Sequence, residues 1–281
     1  MAHFIASLQC ADQPGIIYAV SAAVVGLGGN ILENDQFTDP VTGQFSMRTH
    51  LEVDRPLEEV RDSLALDLAP FDVTLRVRDL ARPHRIIVMV SETDHCLLEI
   101  LYRIDHGELP LDIAAVVSNH PTLSPLAHHH GVPFHHIPVD SGSRLEAEAR
   151  LLELISELRV DLVVLARYMQ ILSPTLCETL AGRVINIHHS FLPGFKGARP
   201  YHQAHDRGVK LIGATAHFVT PDLDEGPIIE QDVARVTHAR TVTDLVVTGR
   251  DVERRVLARA LRLWGEDRVA LVGQRTVIFE Q

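Results

Sequence analysis

The chain has 281 residues, 46% of them hydrophobic and 22% charged, with a formal net charge of −11. That length suits one large or two medium domains. The acidic balance opposes a non-specific grip on nucleic acid, and no apolar run approaches the roughly 20 residues that a membrane span needs, so neither partner is expected. The opening stretch MAHFIASLQCADQPG has no basic region ahead of an apolar run, and no signal peptide is read there. Cys10, Cys96 and Cys177 are odd in number and widely spaced, which fits unpaired, buried thiols in a reducing cytoplasm.

Residues 1–79 read strand, helix, strand, strand, helix, strand. FIASLQC is short and apolar, and Pro14 stands where the helix IIYAVSAAVVGLG begins. ILENDQFTD and QFSMRTHLEV alternate as paired strands around the turn DPVTG. PLEEVRDSLALDLA is helical, with acidic residues in its first turn, and FDVTLRVRD alternates again. This βαββαβ order predicts a ferredoxin-like antiparallel sheet with both helices on one face. Asp12, Pro14 and Gly15 ahead of the first helix, with Gly29, Asn30 and Ile31 after it, resemble the ACT domain, a regulatory module. The resemblance implies an amino-acid effector near Asp12, Gly15 and Asn30 and pairing of domains between chains. The plainer alternative is that Gly15 and Gly29 only shape turns.

LARPH, residues 80–84, reads as a linker to a second domain covering 85–281. There RIIVMVS, LDIAAVVSN, VDLVVLARY and RVINIHH are nearly continuous apolar runs. Helical stretches such as DHCLLEILYRI and RLEAEARLLELISELR separate them. This alternation predicts a Rossmann-like, mostly parallel sheet covered on both faces, so the whole chain is of the α/β class. VKLIGATAHFVT and GPIIEQDVARV are two further strands. TVTDLVVTGRDVERRVLARALRLW is a long helix, and DRVALVG with QRTVIFEQ closes the domain as a hairpin. An exposed sheet edge needs covering, and a homo-oligomer is expected.

Asn186 and His188 are two positions apart at the carboxyl end of a predicted strand, so they share a face where open parallel sheets bind ligands. Asp224 follows in a loop made with Pro221, Gly226 and Pro227. An amide donor, an imidazole and a carboxylate together polarise a carbonyl and move a proton. Pro193, Gly194, Gly197 and Pro200 predict a fixed loop wall beside them. No metal is expected: there is no HExxH pattern, and His188 and His189, adjacent on a strand, would point to opposite faces.

The run Asn186-x-His188-x-Ser190-x-Leu192-Pro193, with HFVT and LDEGPII downstream, resembles the folate-dependent formyltransferase family. That family acts on the formyl group of 10-formyltetrahydrofolate with an Asn–His–Asp set, here Asn186, His188 and Asp224. The resemblance implies a folate substrate and no further cofactor, with Met169, Gln170, Ile171 and Leu172 at the pterin pocket and His217 supporting the site. From the residues alone, Met169 to Leu172 equally fit a cap on the sheet, and His217 a packed core histidine. Relatives that formylate glycinamide ribonucleotide carry a Gly-rich phosphate loop after their first strand. SETDHCLLEI has no Gly and carries Glu92 and Asp94. With the ACT-like domain, this favours water as the acceptor, giving formate and tetrahydrofolate. Transfer to an amine is the alternative. Which group acts as the base stays open.

Overall fold

Phe4, Ala6, Leu8 and Cys10 alternate along β1 (Ala2–Ala11), so all four fall on one face and are buried there. Against that face lie α1 (Ile16–Gly26), through Ile16, Val20 and Val24, and later α2 (Leu57–Leu68), through Val60, Leu64 and Leu68. β2 (Asn30–Thr38), β3 (Gln44–Val53) and β4 (Thr74–Asp79) complete an antiparallel sheet in the order β2-β3-β1-β4. The βαββαβ order expected from the periodicity is therefore present, with Phe45, Met47, Leu51 and Val53 of β3 turned to the same core.

The computed structural model describes residues 1–140, 142–194 and 200–280. They divide into two compact units, Met1–Pro83 with Glu266–Gln281, and His84–Gly265.

In the second unit, β5 (His84–Val90) leads to α3 (His95–Asp105), β6 (Leu111–Ser118), α4 (Ser124–His129) and β7 (Phe134–His136). Then come α5 (Arg144–Glu157), β8 (Leu162–Leu165), α6 (Pro174–Thr179), β9 (Val184–His188) and α7 (Pro200–Asp206). β10 (Leu211–Phe218), β11 (Ile228–Arg235) and α8 (Val242–Gly265) close the unit. The sheet runs β11-β10-β9-β8-β5-β6-β7, parallel from β9 to β7 and antiparallel at β10 and β11. β5, β6 and β8 are buried almost along their length, as strands covered on both faces are. VDLVVLARY supplies only four strand residues. β7, which holds His135 and His136, has only three residues, too few for a period to register. No helix among the described residues is long and apolar enough to cross a membrane.

The C-terminal hairpin, β12 (Val269–Val272) with β13 (Arg275–Ile278), falls in the first unit. This departs from the expected second domain of 85–281, and the expected linker also shortens, because His84 already opens β5. The reason lies on the second face of the first sheet, which carries Ser46 and Arg48, both buried. There Arg48 donates to Glu33 Oε2 at 2.6 Å and to the Glu266 carbonyl at 3.0 Å. Arg268 donates to Glu33 at 2.8 Å, Arg78 to Asp267 at 2.5 Å, and the Gln9 amide to the Leu271 carbonyl at 2.8 Å. A polar sheet face needs polar partners, and the hairpin supplies them.

Candidate active site

β9 presents Asn186 and His188 on one face, as their spacing predicted. Its antiparallel neighbour β10 sets His217 directly opposite Asn186 and Thr215 opposite His188. Asp224 comes from the loop after β10. That loop turns back so tightly that a Cβ on Gly226 would lie 1.7 Å from the Phe218 carbonyl oxygen, so only glycine fits there. Asp224 itself sits at a φ of 58°, in the left-handed region that short polar side chains tolerate best.

The three residues meet. His188 Nδ1 lies 3.1 Å from Asp224 Oδ1, and both side chains are buried. A carboxylate only accepts, so Nδ1 carries the proton and Nε2 is left for chemistry. Nε2 is buried and has no hydrogen-bond partner among the described residues. Burial pushes the Asp224 carboxyl up, but the His188 hydrogen bond, with smaller contributions from the neighbouring imidazoles, outweighs it and holds it below the usual carboxylate value.

His217 faces the same centre. Its Nδ1–H donates to the Phe218 carbonyl at 2.8 Å, which leaves Nε2 to accept from the Asn186 amide at 3.2 Å. Burial, against weaker opposing contributions from Phe218 and Asp224, lowers its pKa, consistent with that neutral tautomer. One N–H of Asn186 is thereby fixed, and the amide cannot turn freely. His189 departs from the expected alternation. β9 ends at His188, so the His189 ring is released to lie 5.2 Å from that of His188, in the same cavity.

The cavity measures about 290 Å³ and is walled by the Asn–His–Asp set and by Met169, Gln170, Ile171 and Leu172. Met169 and Ile171 are each 57% exposed, so they do not act as buried caps on the sheet. Their segment is tied at its start, where the Met169 N–H donates to Ser91 Oγ at 3.0 Å. Of the expected loop wall, Pro193 and Gly194 are described and Gly197 lies outside the described residues.

A second polar cluster, not foreseen from the sequence as a unit, stands beside this site. Glu253 of α8 is 1% exposed. It accepts from Tyr201 at 2.5 Å and from His95 Nε2 at 2.8 Å, and Arg167 Nε lies 3.5 Å away. Gly249, one turn earlier on α8, makes room for the Tyr201 ring, whose hydroxyl would be 2.1 Å from any Cβ there. Ligand atoms of His95, Cys96 and Glu253 lie within 4.8 Å of one another, a spacing that could hold an ion. The chemistry fits poorly. Burial holds the Cys96 thiol protonated, well above its usual pKa, and a guanidinium already faces the carboxylate. The sequence signal for this cluster was a buried Glu on an otherwise apolar helix face.

The residues expected to hold an effector do not meet. Asp12 and Gly15 lie at one end of the first sheet, near the level of Phe45, whereas Asn30 pairs with Glu52 at the other. Seven residues of strand at 3.3 Å separate those levels by about 23 Å. The cause is α1, which carries the chain back along β1 before Asn30.

Comparison with known proteins extends this picture. Residues 84–261 match the Formyl transferase family model. A formyltetrahydrofolate deformylase of Mycobacterium bovis is 50% identical over 97% of this chain and 89% of its own. The crystal structure of formyltetrahydrofolate deformylase from Burkholderia mallei superposes with a TM-score of 0.96 at 45% identity, covering 100% of both chains. Glycinamide ribonucleotide transformylase 1 from Symbiobacterium toebii superposes at a TM-score of 0.66 and 35% identity, covering 70% of this chain and 95% of that one. The chain belongs to the formyl transferase family, and within it to the formyltetrahydrofolate deformylases.

Proposed function

We propose that this chain hydrolyses 10-formyltetrahydrofolate to tetrahydrofolate and formate, with Asn186, His188 and Asp224 as its catalytic residues. One observation carries the reading: the Asp224 bond to His188 Nδ1 leaves a buried Nε2 with no hydrogen-bond partner among the described residues, in a cavity shared with Asn186. An N-formyl group is a poor electrophile because nitrogen donates into its carbonyl. Water attacks the formyl carbon, a C–O bond forms, and the carbonyl oxygen gains charge. The free N–H of Asn186 and a protonated His188 Nε2 stabilise that oxyanion. Asp224 orients His188, supports its charged form and helps take a proton from water. The C–N bond then breaks and the folate nitrogen takes a proton. Met169 and Ile171 offer apolar contact to the pterin, with Gln170 and backbone groups to read its edge. Incubation with 10-formyltetrahydrofolate and no amine should release equimolar formate and tetrahydrofolate; their absence overturns the reading.

Transfer to glycinamide ribonucleotide is the second reading, favoured by the transformylase likeness over 70% of the chain. Against it, the turn after β5 has no glycine, and Glu92 and Asp94 are exposed where a phosphate would sit. Formylation of glycinamide ribonucleotide faster than hydrolysis would reverse the preference.

The formate released supplies purine synthesis and balances the one-carbon folate pools in the cytoplasm. The first unit, with its βαββαβ order and strand order β2-β3-β1-β4, acts as an ACT-type module for an amino-acid effector in a homo-oligomer. Because Asn30 is far from Asp12 and Gly15 in one chain, a site using all three needs two chains. Glycine or methionine should alter turnover, and sedimentation should give a species larger than 31.2 kDa; no response and a monomer overturn both parts.

A further inference from the structure

Transfer and hydrolysis differ in the charge of what they leave behind. An amine acceptor yields a neutral formamide. Water yields formate, an anion, in a cavity that already contains the Asp224 carboxylate. An anion released there needs a cation to receive it.

Arg167 is the sole Lys or Arg among the described residues lining the cavity. It follows β8, the strand beside β9, so it enters from the same carboxyl edge of the sheet as Asn186 and His188. Its backbone has a φ of 66°, a left-handed conformation that is strained for a non-glycine residue. Glu253 anchors the guanidinium by charge without satisfying it. The carboxylate already accepts from Tyr201 and His95, and Arg167 Nε at 3.5 Å makes no hydrogen bond to it. Nε and Nη1 are both buried, with no hydrogen-bond partner among the described residues. Donors left unmet in this way are costly, and they persist where a ligand uses them. His189, which lines the same cavity, brings no competing charge. Burial and the Arg167 charge push its pKa to about 3.

We propose that Arg167 is the formate-binding residue of this site, and that its fixed guanidinium suits the cavity to hydrolysis by receiving the carboxylate product. The proposal rests on the deformylase reading. In the step it serves, the tetrahedral oxyanion made by addition of water collapses, its C=O bond re-forms and the formyl C–N bond breaks. One water proton goes to the folate nitrogen, and the other leaves formic acid for solvent. The resulting carboxylate is a planar fork that pairs with two guanidinium N–H groups.

The test is binding of ¹³C-formate to the full chain, read by NMR line broadening at constant ionic strength with chloride as the balancing anion. Wild type should bind formate at least tenfold more tightly than Arg167→Gln, the scale of one charge-assisted hydrogen bond. Arg167→Lys should fall between them, since it keeps the charge but not the fork. Equal binding by wild type and Arg167→Gln overturns the proposal. Should the variants fail to fold, wild type alone decides. Formate should slow phenylglyoxal modification of Arg167, read by peptide mass spectrometry, and no protection overturns the proposal. If formate binds through Arg167 but 10-formyltetrahydrofolate is not hydrolysed, the deformylase reading fails and the anion site stands.

Discussion

His188 shows how much one hydrogen bond decides. Its bond to Asp224 chooses which nitrogen carries the proton and so which one is left without it in the cavity. Asp224→Asn should fold normally, because an amide fills the same space, yet lose nearly all turnover, since it no longer favours the charged imidazole. Near-normal kcat would remove Asp224 from the mechanism. Asn186→Ala should lower kcat by about 10²–10³, the usual effect of removing one oxyanion donor, with KM little changed. His189 has a folded pKa of about 3, and His217 is also lowered, both primarily by burial. A lowered histidine pKa favours the neutral form in the folded state. Its stabilisation is fully present above the unfolded pKa near 6.5 and is lost as pH falls from there toward the folded value. Thermal stability should therefore decline below pH 6.5, and His189→Gln should flatten the decline; an unchanged slope would exclude His189 as a cause. Asn186, His188 and Asp224 were legible in the sequence because two share a strand face and the third sits among turn-forming residues. Arg167 was not, because nothing local distinguishes a cavity arginine from a solvated one.

The loop between β10 and β11 and the helix α8 carry the site. Gly226 lets the first turn back against Phe218, which holds Asp224 in place. Gly226→Ala should cost about 1–3 kcal/mol or more from backbone overlap, and because it displaces Asp224 it should depress kcat beyond any loss of folded protein. Circular dichroism melting and turnover on the folded fraction separate the two effects. Helix and strand periods marked most elements in chain order, including the long α8. β7 and the short α4 and α7 escaped, since three to seven residues cannot establish a period. The alternation rule also failed at His189, where the strand had already ended.

At the scale of the molecule, the hairpin β12–β13 belongs with the first sheet. A chain ending at Gly265 should take the Glu266 carbonyl from Arg48, Asp267 from Arg78 and Arg268 from Glu33, and unfold the first unit at a lower temperature. Faster proteolysis within residues 1–83 would show it, and an unchanged melting profile would count against the hairpin as a structural part of that unit. The sequence alone determined the class of each unit, the order of the main elements and the chemical set Asn186, His188 and Asp224. These follow from periodicity, from the two-residue spacing of Asn186 and His188 and from the turn-forming residues around Asp224. Only the tertiary structure decided where the hairpin packs, that Asn30 stands away from Asp12, and that His95, Arg167, Tyr201 and Glu253 converge. Those facts depend on how each helix returns the chain across its sheet. His95 and Glu253 are 158 residues apart in sequence, and a contact of that range leaves no local pattern to read.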